Sequence, residues 1–118
     1  MGNFKELNVW QKSKDLAVKI YWLTNDGSFS KDFRFRDQIR SAAISVPSNI
    51  AEGDELDTNK QSVRHFYIAK GSAAEVITQL IIAFEVGYIS EEIHNQLTSE
   101  YEHVSHMLAK LIKSRQPI

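Results

Sequence analysis

Apolar residues recur at three- and four-residue spacing along most of the chain, and no alternating strand pattern of useful length interrupts them. Val9, Leu16, Ile20 and Leu23 share one face of a first helix, from about Val9 to Thr24. Asn25-Asp26-Gly27 ends it with a strong turn signal. A second run, from about Lys31 to Glu52, keeps Phe35, Ile39, Ala42, Ala43, Val46 and Ile50 in register, with Gly53 as its C-terminal cap. A third starts at Thr58, which forms a capping box with Gln61, and carries Val63, Phe66, Lys70, Ala73, Ile77, Leu80, Ile81 and Phe84 before stopping near Gly87. A fourth starts at Ser90 and is lined by Ile93, Leu97, Tyr101, Val104, Leu108 and Leu111. The tail Gln116-Pro117-Ile118 is expected to fray. Short connections between amphipathic helices predict an all-α, antiparallel up-down-up-down four-helix bundle, a single domain over residues 1–118.

Pro47 breaks a rule inside the second run. Proline lacks a backbone donor and crowds the carbonyl four residues back, here Ala43, at a cost of roughly 3 kcal/mol in a helix interior. Either a helix ends near Val46 or it continues with a local kink. With the apolar spacing carried on to Ile50, the second helix is read as containing a proline kink at Pro47. Around it, Asn49, Glu52 and Gly53 are assigned to close packing against the third helix, where Gly71 and Glu75 are the matching residues. Glu52 and Glu75 read as buried hydrogen-bond acceptors in that contact.

Two helices are apolar on more than one face. At 100° per residue, Val18 and Trp22 fall opposite Leu16 and Ile20, and Ile68, Ile82 and Val86 fall opposite Ile77. Apolar stripes outside the core mark interfaces, so these five residues predict self-association.

Composition narrows the chemistry. The chain of 118 residues contains no cysteine, which removes disulfides, thiol catalysis and zinc–thiolate sites. No signal-like N-terminus or bilayer-spanning apolar run is read, so a soluble, cytoplasmic protein without a membrane partner is expected. Glu100-x-x-His103 has di-iron spacing, but that chemistry needs two such motifs and further inward carboxylates. His65 and His94 stand alone, and Gly71-Ser72-Ala73 lacks the strand that precedes a phosphate loop. No catalytic residue, metal ligand or cofactor is assigned. Lys31, Arg34, Arg36 and Arg40, with Lys60 and Arg64, form candidate nucleic-acid-binding patches. They are interleaved with carboxylates in a chain of net charge −1 and pI near 6.4.

Leu7-Asn8-Val9-Trp10-Gln11-Lys12, Gln38-Ile39-Arg40-Ser41-Ala42-Ala43, Ser45-Val46-Pro47-Ser48-Asn49-Ile50-Ala51-Glu52-Gly53, Phe66-Tyr67-Ile68-Ala69-Lys70-Gly71-Ser72 and Gly87-Tyr88-Ile89 together resemble one family. It is the four helix bundle protein family associated with 23S ribosomal RNA intervening sequences, and the likeness covers nearly the whole chain. The resemblance implies an antiparallel bundle assembled into a homopentameric ring, and no enzymatic activity follows from it. It also implies kinship with accessory proteins of diversity-generating retroelements, which bind nucleic acid and partner a reverse transcriptase. Ser41, where the family often has a second basic residue, and Asp54-Glu55-Leu56-Asp57, where it commonly has an aromatic and a basic one, depart from the pattern. The expected function is a non-enzymatic homo-oligomer binding RNA or another nucleic acid through basic patches repeated around the ring. The alternative is a structural or protein-interaction oligomer without nucleic-acid affinity.

Overall fold

Helix start and stop signals largely decide where each element of the computed structural model begins and ends; residues 2–56 and 58–116 are described. A 3-10 turn, Phe4–Glu6, leads into α1, Asn8–Leu23. A short α2, Gly27–Lys31, precedes α3, Phe33–Glu55, and then α4, Asn59–Glu85, and α5, Glu91–Arg115. Side-chain caps open the long helices: Asp32 Oδ1 accepts from the Phe35 amide, Thr58 Oγ1 from Gln61 and Ser90 Oγ from Ile93. At the end of α4, Gly87 takes φ +84°. Its N–H donates to Phe84 O and that of Tyr88 to Ala83 O, a Schellman arrangement that satisfies two terminal carbonyls.

Two regions differ from the sequence reading. A short helix, α2, occupies Gly27–Lys31 where the sequence reading has only a turn, and α3 starts at Phe33 because the Asp32 side chain serves as its N-cap. Gly53 is not a cap: α3 runs past it to Glu55, and the extended Leu56 ends the helix. Pro47 is buried within α3, which is helical on both sides of it. Asp57 and the tail residues Pro117 and Ile118 lie outside the described residues.

The four long helices form an antiparallel bundle of 46 × 21 × 20 Å. α3 packs against α4 and α1, and α5 against α4 and, more lightly, α1. Around the bundle the order is therefore α1, α3, α4, α5, which leaves α1 and α4 diagonal. The core runs through Leu16, Ile20, Ile39, Val46, Ile50, Phe66, Val76, Leu80, Tyr101 and Leu108, all nearly inaccessible.

Candidate assembly faces and basic groups

Diagonal placement sends the outer faces of α1 and α4 to opposite sides of the bundle. Val18 and Trp22 lie on the outside of α1, with Trp22 69% exposed. Ile68, Ile82 and Val86 lie on the outside of α4, where Tyr67 and Ile81 add to the exposed apolar area. The sequence reading did not assign Tyr67 to this face and counted Ile81 with the residues lining the helix, yet both are exposed because the buried stripe runs through Ala69, Ala73, Val76, Leu80 and Ala83. α5 presents a polar outer face instead, with Ser99, His103, His106 and Lys110 all exposed. By length and composition, α4 is the one described helix able to cross a membrane, with 39% of its apolar window buried inside the fold.

The six candidate cations form two groups. Lys31, Arg34, Arg36 and Arg40 lie toward the start of α3, whereas Lys60 and Arg64 lie at the start of antiparallel α4, beside the far end of α3. The 23 residues of α3 at about 1.5 Å each put roughly 30 Å between the groups. Lys31, Arg34, Lys60 and Arg64 are exposed and form no ion pair with a described carboxylate. Arg36 is half-buried: it pairs with Asp37 at 3.1 Å, donates to Ser30 O and lies 4.9 Å from the Phe33 ring centroid. Arg40 is tied to the end of α1, where its Nε donates to Thr24 Oγ1 at 2.8 Å and its guanidinium stacks 4.6 Å from the Tyr21 ring centroid. Its charge therefore serves a helix C-terminus, where cations are favoured. Arg64 borders a groove of about 410 Å³ with Leu56, Gln61, His65 and Ile68.

The α3–α4 seam is polar along one edge. Ser72 Oγ donates to Ser45 Oγ at 2.9 Å, and Asn49 Nδ2 donates to the Ser45 carbonyl at 2.9 Å. Asn49 Oδ1 in turn lies 3.0 Å from His65 Nδ1. Gly53 is the close-approach glycine, since a Cβ there would stand 2.7 Å from Phe66 Cε1. Gly71 is not: it is exposed, and a Cβ would meet nothing within 4 Å. Glu52 and Glu75 are also exposed rather than buried; Glu52 Oε2 lies 3.7 Å from His65 Nδ1, and Glu75 accepts from Gln79 at 3.4 Å. Gly71 falls outside because the α4 core runs through Phe66, Ala69, Ala73 and Val76, and Lys70 beside it is half-buried.

The buried acid is Asp54, held by Arg115 at 2.9 Å, while the same guanidinium lies 5.5 Å from the Phe66 ring centroid. No residue near Asp54 in sequence signals this pairing, since its partner is 61 positions away. Glu100 lies 3.6 Å from Lys19, and His103 is exposed. Among the described residues no three His, Cys, Asp or Glu side chains gather where they would hold a metal. Tyr101 is fully buried and its hydroxyl has no partner among the described residues. Burial, with the Glu100 charge secondary, pushes its pKa well above the ordinary phenol value.

With the bundle and its faces in place, the sequence pattern of the 23S rRNA-intervening sequence proteins matches residues 5–110. The chain belongs to that family. Among solved structures, it is similar to a protein of unknown function from the S23 ribosomal protein family of Bacteroides thetaiotaomicron. The TM-score is 0.82 at 24% identity, over 89% of this chain and 98% of the other, and the likeness is one of fold. No curated protein matches the sequence. As a 23S rRNA-intervening sequence protein, the chain uses the Pro47–Gly53 segment for packing: Pro47, Ile50 and Gly53 are all buried.

Proposed function

We propose that this protein is a non-enzymatic module that assembles head to tail into a closed homo-oligomeric ring, five copies by family resemblance, and that the ring binds RNA. The observation that carries the assembly is the pair of exposed apolar faces on opposite sides of the bundle. A single self-complementary patch gives a two-fold dimer, whereas two different patches facing apart give a chain or a ring. Light scattering at micromolar concentration tests this: a single species of several subunit masses is expected, and a monomer mass throughout would sink the reading.

For RNA, the support is the set of exposed cations (Lys31, Arg34, Lys60 and Arg64) together with a family name tied to 23S ribosomal RNA. Repetition around a ring would turn weak phosphate contacts into avidity. Mobility shifts at low salt should weaken with added salt. Lys31→Glu/Arg34→Glu and Lys60→Glu/Arg64→Glu separate the two ends of the bundle, and leave the structurally engaged Arg36 and Arg40 untouched. No shift with any RNA or DNA at low salt removes nucleic acid. What then stands is the second reading, a structural or protein-binding oligomer, which the net charge of −1 favours. A soluble, cytoplasmic setting belongs to this proposal.

A further inference from the structure

Two adjoining grooves follow the α4–α5 seam at the end of the bundle where α4 begins and α5 finishes. The first, of about 500 Å³, is bordered by Lys60 and Val63 of α4 and by Arg115 and Gln116 of α5. The second, of about 440 Å³, continues from Gln116 and is bordered by Tyr67 and Lys70 of α4 and by Ala109, buried Ile112 and Lys113 of α5. Lys60, Val63, Tyr67 and Lys70 follow one another at three- and four-residue steps, so they form a single stripe of α4 turned toward α5. Arg64, His65 and Ile68 border the groove with Leu56 on the other edge of α4.

No described carboxylate lines either seam groove. Acids intrude elsewhere: Asp37 lines the hollow beside Arg40, and Asp15 and Glu100 line the one between α1 and α5. Arg115 is committed to Asp54, but Lys60, Lys70 and Lys113 form no ion pair with a described carboxylate. Helix dipoles explain Lys113 and Arg115, which end α5. They do not explain Lys70 in mid-helix, or Lys60 in the first turn of α4, where a cation is disfavoured. Three unneutralised ammonium groups along one furrow make it positive although the chain as a whole is not. Between Lys60 and Lys70 stands Tyr67, 54% exposed, with a ring that the bundle leaves largely in solvent.

Resting on the RNA reading above, we infer that this double groove is where RNA binds, and that it takes a single strand. Phosphates lie along Lys60, Lys70 and Lys113 while an unpaired base stacks on Tyr67. From Lys60 to Lys70 the helix rises about 15 Å, the length of roughly four stacked nucleotides at about 3.4 Å each. A duplex keeps its base faces covered and offers the ring no partner. An acidic peptide matches the charge but not the ring. Lys31 and Arg34, toward the other end of α3, lie outside this site.

Fluorescence anisotropy with a labelled, mixed-sequence RNA of about 12 nucleotides at low salt tests this, with the same sequence as a duplex for comparison. The single strand should bind at least about fivefold more tightly than the duplex, the value of one stacked base. Tyr67→Ala should lose that advantage and Tyr67→Phe should keep it, both with unchanged helical content because the position is exposed. Lys60→Gln/Lys113→Gln should lower the slope of log affinity against log salt by about 1.4, at about 0.7 per phosphate contact on a single strand. Lys31→Gln/Arg34→Gln should leave that slope unchanged. Three results overturn the inference while RNA binding stands: a slope lowered by the Lys31 and Arg34 pair alone, Tyr67→Ala binding like the parent, or a duplex bound as tightly as the strand. Poly-glutamate of matching charge bound as tightly as the strand overturns it in favour of an acidic protein partner. A parent chain that binds no RNA or DNA at low salt overturns the RNA reading itself.

Discussion

Two glycines and one tyrosine show how single positions are set by their surroundings. Gly53 and Gly71 both sit inside helices, yet the Cβ of an alanine would collide with Phe66 at the first and enter open space at the second. Gly53→Ala should therefore destabilise the fold by about 2 kcal/mol through overpacking. Gly71→Ala should stabilise the monomer by about 1 kcal/mol through helix propensity. Urea titrations at concentrations low enough to keep monomers would show the opposite signs. At Tyr101, a buried hydroxyl without a described partner gains little from being polar. Tyr101→Phe should be neutral or stabilising by up to about 1 kcal/mol at pH 7. The raised pKa means that the folded state favours the protonated phenol. Its contribution is complete below the unfolded value near 10 and is lost as pH rises above that toward the folded value. Alkaline melting curves should show a decline above pH 10 that Tyr101→Phe reduces.

Helices are joined here by a few long-range polar ties as well as by the apolar core. Asp54 and Arg115 connect the end of α3 to the end of α5, and Arg115 also covers Phe66 of α4. Removing the cation leaves a carboxylate that is only 5% exposed. Arg115→Ala should cost about 1–3 kcal/mol, discounted because the guanidinium itself reaches water. A double-mutant cycle with Asp54→Ala checks this: the double variant should lose less than the sum of the singles. Arg40 acts similarly at the other end, joining α3 to the close of α1. Arg40→Glu should thus lower thermal stability, so a loss of RNA binding in that variant would report on folding.

For the molecule as a whole, the consequence of the bundle order is that the apolar stripes of α1 and α4 look to opposite sides, while α3 also exposes Phe33 and Ile44 and α5 exposes Ile93 near its start. If burial of those faces couples to folding, the melting temperature should rise with protein concentration. Trp22→Ala should remove that dependence and leave the dilute-solution melting temperature within a few degrees of the parent, since exposed substitutions change stability by only about 0.5 kcal/mol. Calorimetry over a hundredfold concentration range reads both.

The number of long helices, their caps at Thr58 and Ser90, and the stop at Gly87 were legible in the sequence, because capping and periodicity depend on neighbours within one or two turns. So was the family, through the Pro47–Gly53 string. The Asp32 cap and the continuation of α3 past Gly53 were not, since both depend on competing local choices that packing resolves. Which glycine mediates close approach, that Asp54 is the buried acid, and that Arg40 is consumed within the fold all rest on partners 13 to 61 positions away (66 − 53 = 13 for Gly53 and Phe66). Above all, sequence identified exposed stripes on two helices without saying how they are related. Only the packing of α3 and α5 between them sets those stripes back to back, because diagonal placement is a property of the assembled bundle and of no single helix.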